Sequence, residues 1–237
     1  VPAGIVFDIF KYDVHVKGHT YDPLLPVHLA VDPGYGHFYA VIVIQPDFNE
    51  KIIWVSDQIY HRATITEDII KEAEQIVWAS GVKLVVIDHF GGRQHHDAKY
   101  SVRQKWERLW RASKAQIASK SVPLIPGYDR HLSTLKATLD YEQPQEGAYE
   151  WRHVPKWRIY IDPKLTSLIG GRVDGQDWPG EYNVHRYTLD SEGRPVKELP
   201  RDIDNDAIKA LNYYLYVLQG PVTAPTKAYE PVPVRFS

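Results

Sequence analysis

The chain has 237 residues, 43% of them hydrophobic, which suits one large or two small domains with a real core. It contains no Cys, so disulfides, thiolate metal sites and cysteine nucleophiles are excluded, and no apolar run approaches the roughly 20 residues of a membrane span. A formal charge of −2 excludes a strongly basic surface, so contact with nucleic acid would need a local patch or a second domain.

The chain begins at Val1, carries no recognisable secretory signal and holds no Met, as expected for part of a longer protein. Residues 4–10 and 13–17 read as a lead-in, punctuated by Pro23 and Pro26. Residues 27–32, 38–45 and 52–60 read as three strands of an antiparallel meander, with a turn at Pro33-Gly34-Tyr35-Gly36. Thr66 is the expected N-cap of a helix with Glu67 and Asp68 behind it. Ile69, Ile70, Ala73, Ile76 and Val77 supply its apolar stripe, and Gly81 stops it. Residues 83–88 are short and nearly all apolar, as in a buried central strand.

Gly91-Gly92 opens a loop before a predicted helix over 102–119. A strand over 122–125, a helix over 132–139, a polar loop over 143–149, an extended piece over 158–161 and a short helix over 163–169 follow. Residues 182–188 and 194–197 flank Asp190-Ser191-Glu192-Gly193, a hairpin signal. The last helix is expected over 205–218, and a Pro-rich tail follows Gly220. This order predicts an α/β domain over 1–220, a mixed central sheet with helices on both faces, and an irregular tail over 221–237.

Asp32 and Asp88 each close an apolar strand, before Pro-Gly and His-Phe-Gly-Gly respectively. An acid closing a buried strand is costly unless something pairs with it, although either Asp could simply cap a turn. A third group, Asp202, Asp204 and Asp206, stands at the start of the last helix, where acids also suit the helix dipole. Carboxylates gathered from distant parts of a chain repel unless a cation joins them, and an oxygen-only set suits Mg²⁺ or Mn²⁺. Two such ions can activate a water and stabilise the leaving oxygen of a phosphodiester. His89, His95, His96 and Asp97 form a competing group that could hold zinc or iron. Arg103, Lys105, Arg108, Arg111 and Lys114 are the best candidates for contacts to a DNA backbone, or an ordinary solvated face. Trp106 and Trp110 between them read as core contacts.

Several stretches together resemble the C-terminal nuclease part of phage terminase large subunits. They are Gly4-Ile-Val-Phe-Asp8, Ala30-Val-Asp-Pro-Gly-Tyr-Gly36, Val85-Val-Ile-Asp88, Leu165 through Ile169, the segment Tyr187 through Val196, and Asp204 through Tyr213. The resemblance implies a ribonuclease H-like fold and two-metal cleavage, with Mg²⁺ or Mn²⁺, of concatemeric double-stranded viral DNA during genome packaging. By motif position it puts the catalytic and metal-binding acids at Asp32, Asp88 and Asp206, with Asp202 or Asp204 as further ligands. Lys209 and Asn205 depart from the family pattern, standing where acids are usual. The resemblance also implies an ATPase motor domain, a portal protein and a small terminase subunit as partners, in the host cell cytoplasm. No Gly-x-x-x-x-Gly-Lys-Ser/Thr phosphate loop is present, so no ATPase activity is expected of this stretch. A Holliday-junction resolvase or transposase-type nuclease, and a non-catalytic DNA- or portal-binding scaffold, are the competing readings.

Overall fold

A computed structural model of the protein describes residues 5–34, 37–88, 99–119, 135–136, 138–140, 157–192, 194 and 205–219. After a short helix α1 (Tyr12–His15), the meander forms as β1 (Val27–Pro33), β2 (Phe38–Asp47) and β3 (Ile52–Arg62), each antiparallel to the next. Helix α2 (Thr66–Glu74) leads through a 3-10 turn (Ala79–Gly81) into β4 (Val82–Ile87), which lies parallel to β1. Helix α3 (Val102–Leu109) leads to β5 (Gln116–Ser119), parallel to β4, while β6 (Arg158–Ile161) adds parallel to β3. The spatial order is β5-β4-β1-β2-β3-β6. Then come α4 (Thr166–Ile169), the hairpin β7 (Gly171–Val173) and β8 (Gln176–Trp178), α5 (Glu181–Val184) and the long α6 (Asp206–Gln219).

Side-chain alternation sorts the strands into two cores. Leu29 and Val31 of β1, with Val85 and Ile87 of β4, pack against Ile69, Ile70 and Ala73 of α2 and Trp106 of α3. Ala30 and Val86 face the other way, into a core shared with Ala207, Ile208, Leu211 and Leu215 of α6. Helices therefore cover both faces of a mixed sheet, as the element order predicts.

Three expectations are corrected. The helix over 102–119 ends at Leu109. Ser101 and Gln104 start it with a reciprocal capping box, and Trp110 then turns extended. The remaining residues supply β5, because the open edge of β4 offers backbone partners that a continued helix would leave unused. Residues 182–188 are not a strand: Glu181–Val184 is a helical turn, and Arg186 makes a single bridge to Ile5. The helix at Thr66 stops at Glu74, with Ile65 rather than Thr66 at the cap. Residues 122–125, 143–149 and 221–237 lie outside the described residues, and of 132–139 only Leu135, Lys136, Thr138 and Leu139 are described, as helix.

A buried contact that positions α6 lengthwise is a 3.0 Å hydrogen bond between His28 Nδ1 and Tyr214 Oη. His28 shares the α6 face of β1 with Ala30 and Asp32. From Asp206 to Tyr214 the helix rises about 12 Å, and from His28 to Asp32 the strand runs about 13 Å. With Tyr214 held at His28, an α6 running antiparallel to β1 brings its first residue level with Asp32. Burial pushes the His28 pKa down to about 4, so the ring is neutral at physiological pH. Tyr214→Phe strips this bond from a buried imidazole and should cost about 1–3 kcal/mol. Urea unfolding of the two proteins checks it; equal midpoints and slopes would show that the contact does not hold the helix.

Candidate metal centre

Asp32 occupies a β1 position whose side chain points to the α6 face, and it is 8% exposed. Asp88 is the first residue beyond β4, and its N–H donates to the Val31 carbonyl at 3.0 Å, extending the parallel ladder by one step. The two acids thus end neighbouring strands at the same sheet edge, about 4.8 Å apart along the hydrogen-bonding direction. Alternation puts Asp88 on the face of Val86, which is also that of Asp32. Asp206 opens α6 above them and is buried like them, and Lys209 follows one turn later.

The electrostatics agree with this placement. Burial pushes the Asp32 carboxyl well above the usual carboxylate range. Lys209 opposes the shift, while Asp88, Asp206 and Glu181 add to it. Four acids and one lysine therefore act on one another in a low-dielectric pocket. Among the described residues, no three or more His, Asp and Glu side chains are gathered as a ready-made metal cage. The chemistry of the cluster nevertheless fits a hard cation. Its donors are all carboxylate oxygens, and their mutual repulsion is what a divalent ion would relieve.

Nothing in the local sequence singles out the fourth acid, Glu181. It is fully buried, yet every oxygen is engaged. Oε1 accepts from the Tyr60 hydroxyl at 2.7 Å and from the Ala207 N–H at 2.9 Å, and Oε2 accepts from the Ile208 N–H at 2.7 Å. The preceding Gly180 has φ +86°, and a Cβ there would lie 2.4 Å from the Gly170 nitrogen, so only glycine fits. Burial pushes the Glu181 carboxyl up to about 8 against its hydrogen bonds from Ala207, Tyr60 and Ile208, and Asp206 adds to the rise.

The remaining candidates divide. Asp202, Asp204, His89, His95, His96 and Asp97 lie outside the described residues. The basic residues of α3 are not brought to the acids, because that helix packs on the opposite face of the sheet. Arg103 pairs with Glu107 at 2.8 Å, Lys105 with Glu67 of α2 at 2.8 Å, and Arg108 stacks 4.3 Å from the Tyr100 ring centroid. The Arg111 guanidinium turns back onto the carbonyls of Arg108 and Trp110, and Lys114 lies beyond the helix, exposed. Trp106 and Trp110 are buried, as core residues.

No family model matches the chain, and no curated protein matches it in sequence. Solved structures do share its fold. The nuclease domain of the P22 large terminase superposes with a TM-score of 0.59 at 14% identity, over 90% of this chain and 92% of that one. The nuclease domain of the large terminase (g2p) of bacteriophage SPP1, solved with bound Mn, gives 0.54 at 14% identity, over 91% and 98%. A large terminase from a thermophilic bacteriophage gives 0.59 at 13% identity over 91% of this chain, which spans only 45% of that protein's length. At such identities the likeness establishes the fold. It is the ribonuclease H-like α/β fold of terminase nuclease domains, the one that the sequence motifs resemble.

Glu181 and Asp32 make a signed prediction for the metal-free protein. Both carboxyls bind a proton more tightly when folded than when unfolded. The Glu181 contribution is therefore fully present below the ordinary Glu value of 4.5 and is lost as pH rises through about 8, and the Asp32 contribution has the same sign. Melting in chelator should show the parent losing stability over that window relative to Glu181→Gln, which has no proton to lose. A difference that stays flat or grows in the parent's favour would mean the carboxyl is ionised throughout.

Proposed function

We propose that this chain is the nuclease part of a phage large terminase subunit, a divalent-metal-dependent endonuclease that cuts concatemeric double-stranded viral DNA during genome packaging. The observation that carries this reading is that Asp32 and Asp88 end neighbouring strands with Asp206 close enough to act electrostatically on Asp32, in a fold shared with terminase nuclease domains. The SPP1 domain of the same fold was solved with bound Mn.

Asp32, Asp88 and Asp206 are the acids that would hold metal, with Asp202 or Asp204 completing the set. Two Mg²⁺ or Mn²⁺ ions bound there would supply a water nucleophile at neutral pH and charge stabilisation for the departing oxygen. The chain's own work is to hold the acids. Asp32 and Asp88 are fixed by the backbone ladder of β1 and β4, and Asp206 by the docking of α6. Lys209 keeps a positive charge beside Asp32. Glu181, with its oxygens committed to Tyr60 and the α6 backbone, orients and does not ligate.

The near-neutral charge, and the pairing of Arg103 and Lys105 with acids, leave this domain few phosphate contacts of its own. An ATPase motor domain elsewhere in the parent protein, with the portal protein and small terminase subunit, would bring DNA to the site in the host cell cytoplasm. This stretch itself would hydrolyse no ATP. Among the described residues, no helix is long and apolar enough to cross a membrane.

The test is plasmid nicking with Mg²⁺, Mn²⁺ or chelator, alongside melting without metal. Asp32→Asn, Asp88→Asn and Asp206→Asn should each lower the nicking rate at least about a hundredfold, roughly 2.7 kcal/mol of barrier or more. None should lower the metal-free melting temperature, because each removes one of several mutually repelling charges. Cleavage that persists in excess chelator, or variants that cut like the parent, would end the reading. Preference for four-way junctions over linear duplex would replace it with a resolvase.

A further inference from the structure

We propose that Glu181 is the positioning residue for Asp206, capping helix α6 from a separate element and so fixing the first turn that presents Asp206 to Asp32 and Asp88. The inference rests on the reading of Asp206 as a metal-binding acid.

The first N–H groups of any helix have no acceptor within it. In α6, Asp206 is the first helical residue, and the orphan donors of the next two positions are Ala207 and Ile208. These are the amides that an N-cap side chain ordinarily reaches from the residue just before the helix. Here both are taken by one carboxylate from α5, which is far away in sequence. The same carboxylate is tied to β3 through the Tyr60 hydroxyl. Gly180 wedges its backbone against Leu168, Ile169 and Gly170, so the residue bearing the cap is itself immobilised. The result is a rigid line from the sheet, through Glu181, to the backbone just after Asp206.

A helix that only needs capping is served by Ser, Asp or Asn at its own N-cap. Burying a whole carboxyl group within electrostatic reach of Asp206 and Asp32 is a costly way to obtain the same bonds. What the arrangement adds is a fixed angle. Downstream, α6 is held by Leu211 and Leu215 in the core and by Tyr214 on His28. Apolar packing of that kind does not fix the angle of the first turn, where Asp206 stands. Losing Glu181 should therefore fray that turn and leave the rest of the helix docked.

Hydrogen exchange of single amides and calorimetric Mn²⁺ binding, both on the full chain, test this. In Glu181→Ala, the Ala207 and Ile208 amides should exchange about tenfold faster or more, Tyr214 should be unchanged, and Mn²⁺ affinity should fall about tenfold. Glu181→Gln places an NH₂ where one carboxylate oxygen stood, so one of the two amides should lose protection and the affinity should fall less. Tyr60→Phe keeps both caps but frees the Glu181 side chain from β3, so the two amides should stay protected while Mn²⁺ affinity falls by less than in Glu181→Ala. Parent-like exchange at both amides in Glu181→Ala, or parent-like Mn²⁺ affinity, overturns the proposal. Should Glu181→Ala fail to fold, the same two readings on Glu181→Gln decide it. Asp206→Asn identifies which idea failed. If that variant binds Mn²⁺ like the parent, Asp206 is no ligand and the proposal falls with that reading, whatever the exchange rates show.

Discussion

Helix α6 lies across one face of the sheet, and its seating decides where the acidic residues meet. Ala207, Ile208, Leu211 and Leu215 are all fully buried in the core they share with β1, β2 and β4. Each large aliphatic side chain so buried contributes about 1.5–3 kcal/mol. That apolar stripe supplies the force but no sense of position, since a helix sliding by one turn would still bury much of it. Position comes from polar contacts, among them His28 with Tyr214 along the helix and Glu181 at its start. Directionless attraction and a few directional bonds divide the work. The placement of Asp206 near Asp32 follows from that division and needs no attraction among the acids themselves.

The acids in fact oppose the packing that gathers them. Asp32 and Glu181 are both pushed toward their protonated forms, burial being the main cause in each case. On the other side of the sheet the charges are arranged differently. Arg103 with Glu107 and Lys105 with Glu67 are partly exposed pairs of opposite sign, of the kind worth roughly 0–1 kcal/mol. The layer of α2 and α3 thus neutralises itself, and the layer of α6 concentrates like charge with Lys209 acting against it. An arrangement so lopsided is a poor choice for stability alone and a reasonable one for holding a multivalent cation.

Legibility from sequence depends here on the range of the forces involved. The strands of the meander, β4 and β6 were readable because runs of Val, Ile and Leu between turn residues have few alternatives. Asp32 and Asp88 stood out as acids closing such runs, and the register of β1 against β4 then makes them neighbours. The basic periodicity from Arg103 to Lys114 misled, because Arg, Lys, Gln and Ala also suit a helix where the open edge of β4 recruits a strand. Glu181 was invisible for a deeper reason. Its partners, Tyr60, Ala207 and Ile208, are distant in sequence, and no local pattern marks a residue whose role is to cap another element. The hairpin of β7 and β8 is three residues a side, too short for alternation to declare it.

The order of the acids along the chain has a consequence for biosynthesis. Asp32 and Asp88 leave the ribosome well before Asp206, and pairing of β1 with β4 makes them neighbours. Asp206 belongs to the last described helix, and fourteen residues are marginal as a helix in water without a surface to dock on. The third acid can take its place only when the sheet is built, β3 and α5 have set Tyr60 and Glu181, and the core beneath α6 closes. A nascent or truncated chain ending before residue 205 would hold two acids and lack the third. The cluster is thus completed by the same event that completes the core.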